Sequence, residues 1–247
     1  MPVDPLAPLL ALPGVADAAD AARAAVDAVH RHPANRKGWV VSATEASVRA
    51  ARSSAALDGG STELPGEWTA ADPVTAGALR VATTLDGPGL VTLLGVWRRA
   101  PLQVLARLHL LAAADLVAHD VLGRPREGTA ERLDGLGQLV TGGTRVPAAV
   151  LAAVVHGELL GLAPFGSADG VVARAASRLV AVSSGLDVHN LTVPEVSWLR
   201  RPADYRTAAA GFASGTPEGV TAWVVACCAA LEAGAKEAGS IADAAVS

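Results

Sequence analysis

The stretch "VVHGELLGLAPFGSADGVVARAASRLV" (154–180) joins two apolar segments through a short loop that contains two glycines. Gly166 and Gly170 permit turn geometry, and either Ser167 or Asp169 can cap the helix that follows. Free N–H groups at a helix N-terminus attract anions, and an arginine fork one turn further on adds donors. The stretch therefore predicts a helix–loop–helix with a candidate anion site at Arg174, with an ordinary helix entry as the alternative.

The remainder of the chain predicts one all-α domain. Ser42 and Glu45 have the spacing of a capping box, and Pro101 suits a first helical turn. No run alternates like a strand, and no repeat has solenoid spacing. The predicted helices cover 15–32, 42–60, 73–86, 89–99, 100–123, a weaker one within 124–143, 146–162, 171–184, 194–212 and 217–238. The predicted organisation is a flexible N-terminal arm (1–14), N-terminal helices (15–60), the main helical domain (61–240) and a tail (241–247).

Composition narrows the function classes. The chain has 247 residues, of which 51% are hydrophobic and only 3% aromatic, so Ala, Val and Leu must build the core. A net charge of −4 offers no basic surface, which argues against nucleic acid as a partner. The high Ala content and the excess of Arg over Lys are typical of an actinobacterial-like, high-GC genome. We expect a cytoplasmic protein, because the sequence contains neither a run of about 18 apolar residues nor a basic signal region.

The two cysteines, Cys227 and Cys228, are adjacent and lie in an apolar run. Adjacent cysteines do not bridge without strain, and no second pair is present to complete a metal site. Buried thiols in a reducing compartment are the interpretation that this pattern favours.

The opening stretch resembles the motif HxFx(D/E)GNGRxxR of the Fic (Fido-fold) family, aligned from Ala163 to Arg174. Phe165, Gly170 and Arg174 match the motif, and Pro164 stands where the family often has proline. Further similar segments are His156 upstream, "LARLH" (105–109), "LGRPR" (122–126), Tyr205 and Trp223, so that the resemblance spans about residues 40–238. It implies an all-α Fic/Fido-like domain whose central helix–loop–helix carries the motif.

A second pattern resembles the inhibitory helix of many Fic proteins, (S/T)xxxE(G/N). Ser54, Asp58 and Gly59 fit this pattern with Asp in place of Glu. The resemblance implies that the acid pairs with the last arginine of the motif, so we predict a contact between Asp58 and Arg174. The alternative is that Asp58 simply ends its helix, although an acid at a helix C-terminus is electrostatically unfavourable.

The resemblance implies transfer of AMP from ATP to a target hydroxyl, yet the residues for this chemistry are replaced. Ala163 stands at the position of the general base and Ser167 at that of the metal-holding acid. Val171 replaces the first arginine, and Ala168 and Asp169 replace the first glycine and the asparagine. No catalytic residue or metal ligand is therefore assigned within the loop Pro164–Val171.

Two ways of retaining catalysis and three hypotheses about the function remain open. Asp169 could hold a metal from a shifted position, and His156 or His189 could act as base, although a core histidine is the plainer interpretation of His156. The first hypothesis is a degenerate Fic-fold binding or regulatory module, with another protein or a second copy as partner. The second is a divergent transferase that uses ATP and Mg²⁺, and the third is an unrelated all-α structural protein. The third is rejected if helices 146–162 and 171–184 pack side by side around the loop.

Overall fold

The computed structural model describes residues 4–63, 66 and 71–245, and these residues form helices without a strand. The α-helices are α1 (Val15–Arg31), α2 (Pro33–Leu57), α3 (Pro73–Thr84), α4 (Gly87–Trp97), α5 (Pro101–Ala113), α6 (Ala130–Gln138), α7 (Ala148–Leu162), α8 (Asp169–Ser183), α9 (Pro194–Arg200), α10 (Pro202–Ala213) and α11 (Pro217–Ala244). Short 3₁₀ turns at Ala7–Ala11 and His119–Val121 and a π-helical turn at Leu139–Gly143 complete the helical structure.

Helix α7 lies at the centre because it is apolar on every side. Core A is packed from α2 to α8, and α7 contributes Ala152, Val155 and Leu159 to it. Core B is packed mainly from α1, α7, α9, α10 and α11, and receives Ala149, Val150 and Ala153 from α7. A helix that is hydrophobic all round is expected to be buried on both faces, and α7 joins the two cores.

Helices α7 and α8 pack side by side, on either side of the loop at 163–168. This is the arrangement that the sequence predicts for the motif. Small residues permit the close packing around α7: a Cβ at Gly157 would come within 2.6 Å of both the Phe212 ring and Trp223 Nε1. Glycine at position 157 is thus required for α10 and α11 to approach α7.

The segment 194–212, predicted as one helix, forms two, α9 and α10, because the backbone at Arg201 leaves the helical conformation (φ −138°, ψ 63°) and Pro202 begins a new helix. Helices α2 and α5 also differ from their predicted limits. Helix α2 begins at Pro33 instead of Ser42, with a kink at Gly38, and the Ser42 side chain is buried within the helix. Pro33 occupies the first turn, where its fixed φ favours the helix and its missing N–H costs nothing. Helix α5 ends at Ala113 instead of continuing to 123, because the chain folds back so that the Gly123 N–H donates to His109.

The ends of the described chain are attached to the domain. In residues 4–14, the segment assigned to an arm, Leu9 and Leu12 pack against core B, and the Asp4 carboxylate accepts hydrogen bonds from Thr144 and Arg145. Helix α11 extends into the segment assigned to the tail, where Ile241 and Ala242 are buried. Among the described residues, α11 alone has the length and apolar composition of a membrane span; it packs against α1, α7, α9 and α10.

Candidate functional site

The loop between α7 and α8 is a tight turn built on three residues with positive φ. Ala163 ends α7 at φ 43°, Gly166 turns the chain at φ 74°, and Ala168 enters α8 at φ 50°. Alanine is strained in this left-handed region, whereas glycine is not. The loop therefore keeps its shape at Ala168 although the residue is not glycine.

Contacts from the chain itself hold the loop closed. The Asp169 carboxylate accepts a hydrogen bond from the Phe165 N–H at 2.9 Å, which ties the start of α8 back across the turn. The Arg126 N–H donates to the Pro164 carbonyl at 2.7 Å, and its guanidinium donates to the carbonyls of Leu162 and Ala163. Burial raises the pKa of Asp169, and the N–H groups of Phe165 and Gly166 oppose that rise.

His109 lies beneath the loop and was missed as a site residue from the sequence. Its ring stacks on Phe165 with centroids 4.3 Å apart, and its Nε2 lies 3.0 Å from Ser167 Oγ. Since Nδ1 accepts the Gly123 N–H at 2.9 Å, the neutral ring carries its proton on Nε2 and donates it to Ser167. His109 thus cannot take a proton from Ser167, and burial lowers its pKa. The segment "LARLH", noted above, was the only sequence signal for it.

Arg174 is buried, and the predicted contact with Asp58 is present. Arg174 Nη2 lies 2.8 Å from Asp58 Oδ2 and 2.9 Å from the Ser54 carbonyl oxygen. Nε donates to Ser54 Oγ at 2.8 Å, and Nη1 donates to the Tyr205 hydroxyl at 3.2 Å. Each nitrogen of the guanidinium therefore has a partner within the chain, as a buried charge requires.

The end of α2 places Asp58 against the start of α8. Gly59 ends α2 at φ 89°, and the Gly60 N–H donates to the Ala55 carbonyl, as in a Schellman motif. A Cβ at Gly170 would lie 2.5 Å from both carboxylate oxygens of Asp58. Glycine at 170 therefore makes room for a carboxylate at the positive end of α8, beside Arg174.

His156 belongs to the same buried network and not to the loop. The Tyr205 hydroxyl accepts from Arg174, so its own proton is donated to His156 Nε2 at 2.8 Å. Burial, together with the positive charge of Arg174, lowers the pKa of His156 to about 3. Burial raises the pKa of Tyr205 to about 12. His156 is therefore neutral and its accepting nitrogen is occupied, as the core-histidine interpretation requires.

Val171 is buried in core A instead of facing the loop. His189 stacks on Trp39 with centroids 4.1 Å apart and lies close to His30, in the connection between α8 and α9. The structure thus brings Ser54, Asp58, Gly170 and Arg174 together and leaves His189 in a separate cluster.

The residues present do not fit a Mg²⁺–nucleotide site. Ser167 Oγ is bonded to His109, and the Asp169 carboxylate is bonded within the loop. Among the described residues, no group of three or more His, Cys, Asp or Glu side chains could hold a metal. The cavities that reach Arg174 have volumes of about 40 and 30 Å³, enough for a few waters and far below the roughly 300 Å³ of small ligand pockets.

Comparison with solved structures establishes the fold. The chain is similar to the crystal structure, at 2.70 Å resolution, of a Fic family protein from Desulfovibrio desulfuricans G20. The two share 17% identity with a TM-score of 0.62, and the match covers 92% of this chain and 74% of the other. No family model and no curated protein matches the sequence. The chain therefore has the all-α Fic fold predicted from its sequence. The side-by-side packing of α7 and α8 around the loop counts against the hypothesis of an unrelated structural protein.

Proposed function

We propose that this Fic-fold protein has lost AMP transfer and acts as a binding or regulatory module. The observation that carries the proposal is the closed network around Arg174, whose partners Ser54, Asp58 and Tyr205 all belong to the same chain. An arginine that is to receive a phosphate needs free donors facing an open pocket. Within this chain, the Asp58 carboxylate takes the place beside Arg174 that a phosphate would need.

The replacement of the motif's general base by Ala163 supports the same proposal. The methyl group of Ala163 cannot act as a general base, and such a loss typically costs about 10²–10⁴-fold in rate. Neither nearby histidine replaces it: His109 donates from Nε2 to Ser167, and Nε2 of His156 is occupied by Tyr205. We expect AMP transfer from ATP to be at background level, measured as radiolabel incorporation from α-labelled ATP.

A divergent nucleotide-dependent transferase is the second candidate. It is favoured by one observation, the retention of Arg174 beside the N-terminus of α8. This function requires Asp58 to leave Arg174, after which the guanidinium and the helix end would face an anion together. The Asp58 side chain is 26% exposed, so it is the accessible member of the pair.

A thermal-shift series separates the two functions. ATP, GTP, CTP and UTP are each titrated with Mg²⁺ against the native protein, Asp58→Asn and Arg174→Lys, with Glu127→Gln as an exposed control. A nucleotide that binds the folded state alone raises the unfolding midpoint once its concentration passes the dissociation constant. We expect no shift for the native protein or the Glu127→Gln control.

A midpoint that rises in the native protein and not in Arg174→Lys would overturn the proposal in favour of the transferase. Lysine keeps the charge and removes the planar fork, so this variant tests phosphate recognition with less disturbance of the buried network than Arg174→Ala. A shift in Asp58→Asn alone would show that Asp58 blocks a site that still recognises nucleotides.

We place the protein in the cytoplasm with another protein or a second copy as its partner. The net charge of −4 argues against nucleic acid. Light scattering over a concentration series tests the homodimer directly.

A further inference from the structure

Helix α4 contains no charged residue, yet one of its faces is open to solvent. Its sequence, GPGLVTLLGVW, has no Asp, Glu, Lys, Arg or His. Leu90, Leu93 and Trp97 are buried in core A, whereas Val91 is 72% exposed, more than any other large apolar side chain among the described residues. A helix that is apolar all round is expected to be covered on both sides. Helix α7 is covered in this way by the two cores, and α4 within a single chain is not.

Helix α4 forms a ridge between two grooves. The first groove, of about 680 Å³, lies between α4, Trp39 in α2 and Val188 in the α8–α9 connection. The second, of about 430 Å³, lies between α4, the end of α3 and α5. Pro88 and Thr92 of α4 line both grooves. A ridge with a groove beside it fits a second copy of itself, because a twofold rotation lays each ridge against the groove of the other copy.

Gly95 lies on this open face of α4, one turn beyond Val91. A Cβ at Gly95 would meet no neighbouring heavy atom within 4 Å, so packing within the chain does not require glycine here. Glycine in a helix interior lowers stability relative to alanine. The missing side chain does allow the backbone of a second helix to approach α4 closely.

The two ends of α4 carry opposite charges. Asp86 is the N-cap residue, and the exposed Arg98 and Arg99 follow the last turn. The Asp86 carboxylate accepts from the Gly87 N–H and from Thr44 Oγ1, and an ionised carboxylate has further acceptor sites. In an antiparallel pair of α4 helices, the acid at one end lies opposite the arginines at the other end of the second copy. The antiparallel arrangement also places opposite ends of the two helix dipoles together.

We propose that two copies of this chain pair through α4, antiparallel about a twofold axis near the middle of the helix. Val91 of each copy lies in the larger groove of the other, and Asp86 faces the partner's Arg98. The inference rests on the proposed function, in which a second copy is one of the two partners. The apolar centre supplies affinity, and the charges at the rim set the orientation. Neither groove is lined by Asp58 or Arg174, so the pairing leaves their contact in place.

Sedimentation velocity of the full chain tests the interface, over a concentration series from about 1 to 100 µM. We expect the native chain to form dimers. Val91→Asp should weaken dimerisation at least roughly 100-fold, because it buries a charge at an apolar contact. The matched control is Val121→Asp, an exposed valine that lines neither groove and should leave the dimer unchanged.

Two further variants test the close approach and the charges. Gly95→Leu adds a side chain where this chain has open space, so it should retain the fold and weaken dimerisation by about 10-fold. Arg98→Glu places like charges together at both ends of the pair and should also weaken it by about 10-fold. Arg23→Glu, on the exposed face of α1, is the matched control for the charge. Circular dichroism checks the folding of each variant.

A native chain that remains monomeric at about 100 µM would overturn the inference. Equal dimerisation of Val91→Asp and Val121→Asp would overturn it as well, since a dimer would then form through another face. These outcomes are distinct from failure of the proposed function, which a nucleotide-dependent thermal shift of the native protein would reveal.

Discussion

At the scale of single residues, two alanines in the left-handed region show what the loop requires. Ala163 and Ala168 adopt φ 43° and 50°, and the loop still keeps its hydrogen bonds to Arg126 and Asp169. The surrounding contacts thus impose the turn, and the strain of a left-handed alanine, about 1–2 kcal/mol, is tolerated.

We predict that Ala168→Gly stabilises the protein by about 1 kcal/mol, because glycine relieves the strain at positive φ. Urea unfolding measures the change. The control is Ala24→Gly on the exposed face of α1, which should lose about 1 kcal/mol since glycine lowers helix stability. An equal loss of unfolding free energy in both variants would show that Ala168 is not strained.

His156 makes the stability of the fold depend on pH. In the unfolded chain it takes a proton near pH 6.5, whereas in the folded protein its pKa is about 3. The unfolded state therefore binds more protons between these values, and stability falls as the pH drops below about 6.5.

We predict that His156→Gln makes the stability of the fold less dependent on pH. Native protein should lose about 2–3 kcal/mol more than the variant between pH 7 and pH 4.5, since glutamine can accept from Tyr205 and does not titrate there. Urea unfolding at a series of pH values measures this difference. His119→Gln, at an exposed position, serves as the control. Parallel pH curves for native protein and His156→Gln would contradict the expected burial of a neutral imidazole.

At the scale of elements, the end of α2 and the start of α8 are coupled through Asp58. The carboxylate pairs with Arg174 and fills the space that a Cβ at Gly170 would need, so the two helices meet at one charged group. Both cores contain residues from α2, which fixes the approach of this helix end.

A double-mutant cycle tests the coupling. Gly170→Ala should cost about 1–3 kcal/mol by displacing Asp58, and Asp58→Ala about 1–3 kcal/mol by leaving Arg174 short of an acceptor. In the Asp58→Ala background the added methyl meets no carboxylate, so the two costs should fall short of additivity by at least about 1 kcal/mol. Gly135→Ala, where a Cβ meets open space, is the additive control. Additive costs at Gly170 would refute the contact.

At the scale of the whole molecule, α7 makes the two cores one unit. Trp97 lies in core A and Trp223 in core B, and each is almost fully buried. Neither core can unfold without moving α7, and the other core also depends on this helix.

We therefore predict that both cores unfold together. Fluorescence of Trp97→Phe reports mainly on core B, where Trp198 and Trp223 remain, and the difference between native and Trp97→Phe fluorescence reports on Trp97 in core A. Both midpoints should coincide with that of far-UV circular dichroism. Separate midpoints for the two signals would mean that the cores unfold independently.

The amino-acid sequence by itself determined the helical class, the central α7–loop–α8 unit and the pairing of Asp58 with Arg174. Helical periodicity and turn residues are local signals, and they identify the helices. The two patterns that resemble Fic motifs predicted the pairing of Asp58 with Arg174. Only the tertiary structure decided that Pro33 begins α2, that His109 stacks beneath Phe165, and that Tyr205 joins Arg174 to His156. These contacts join residues far apart in the chain, so they depend on how whole helices pack, which no local pattern encodes.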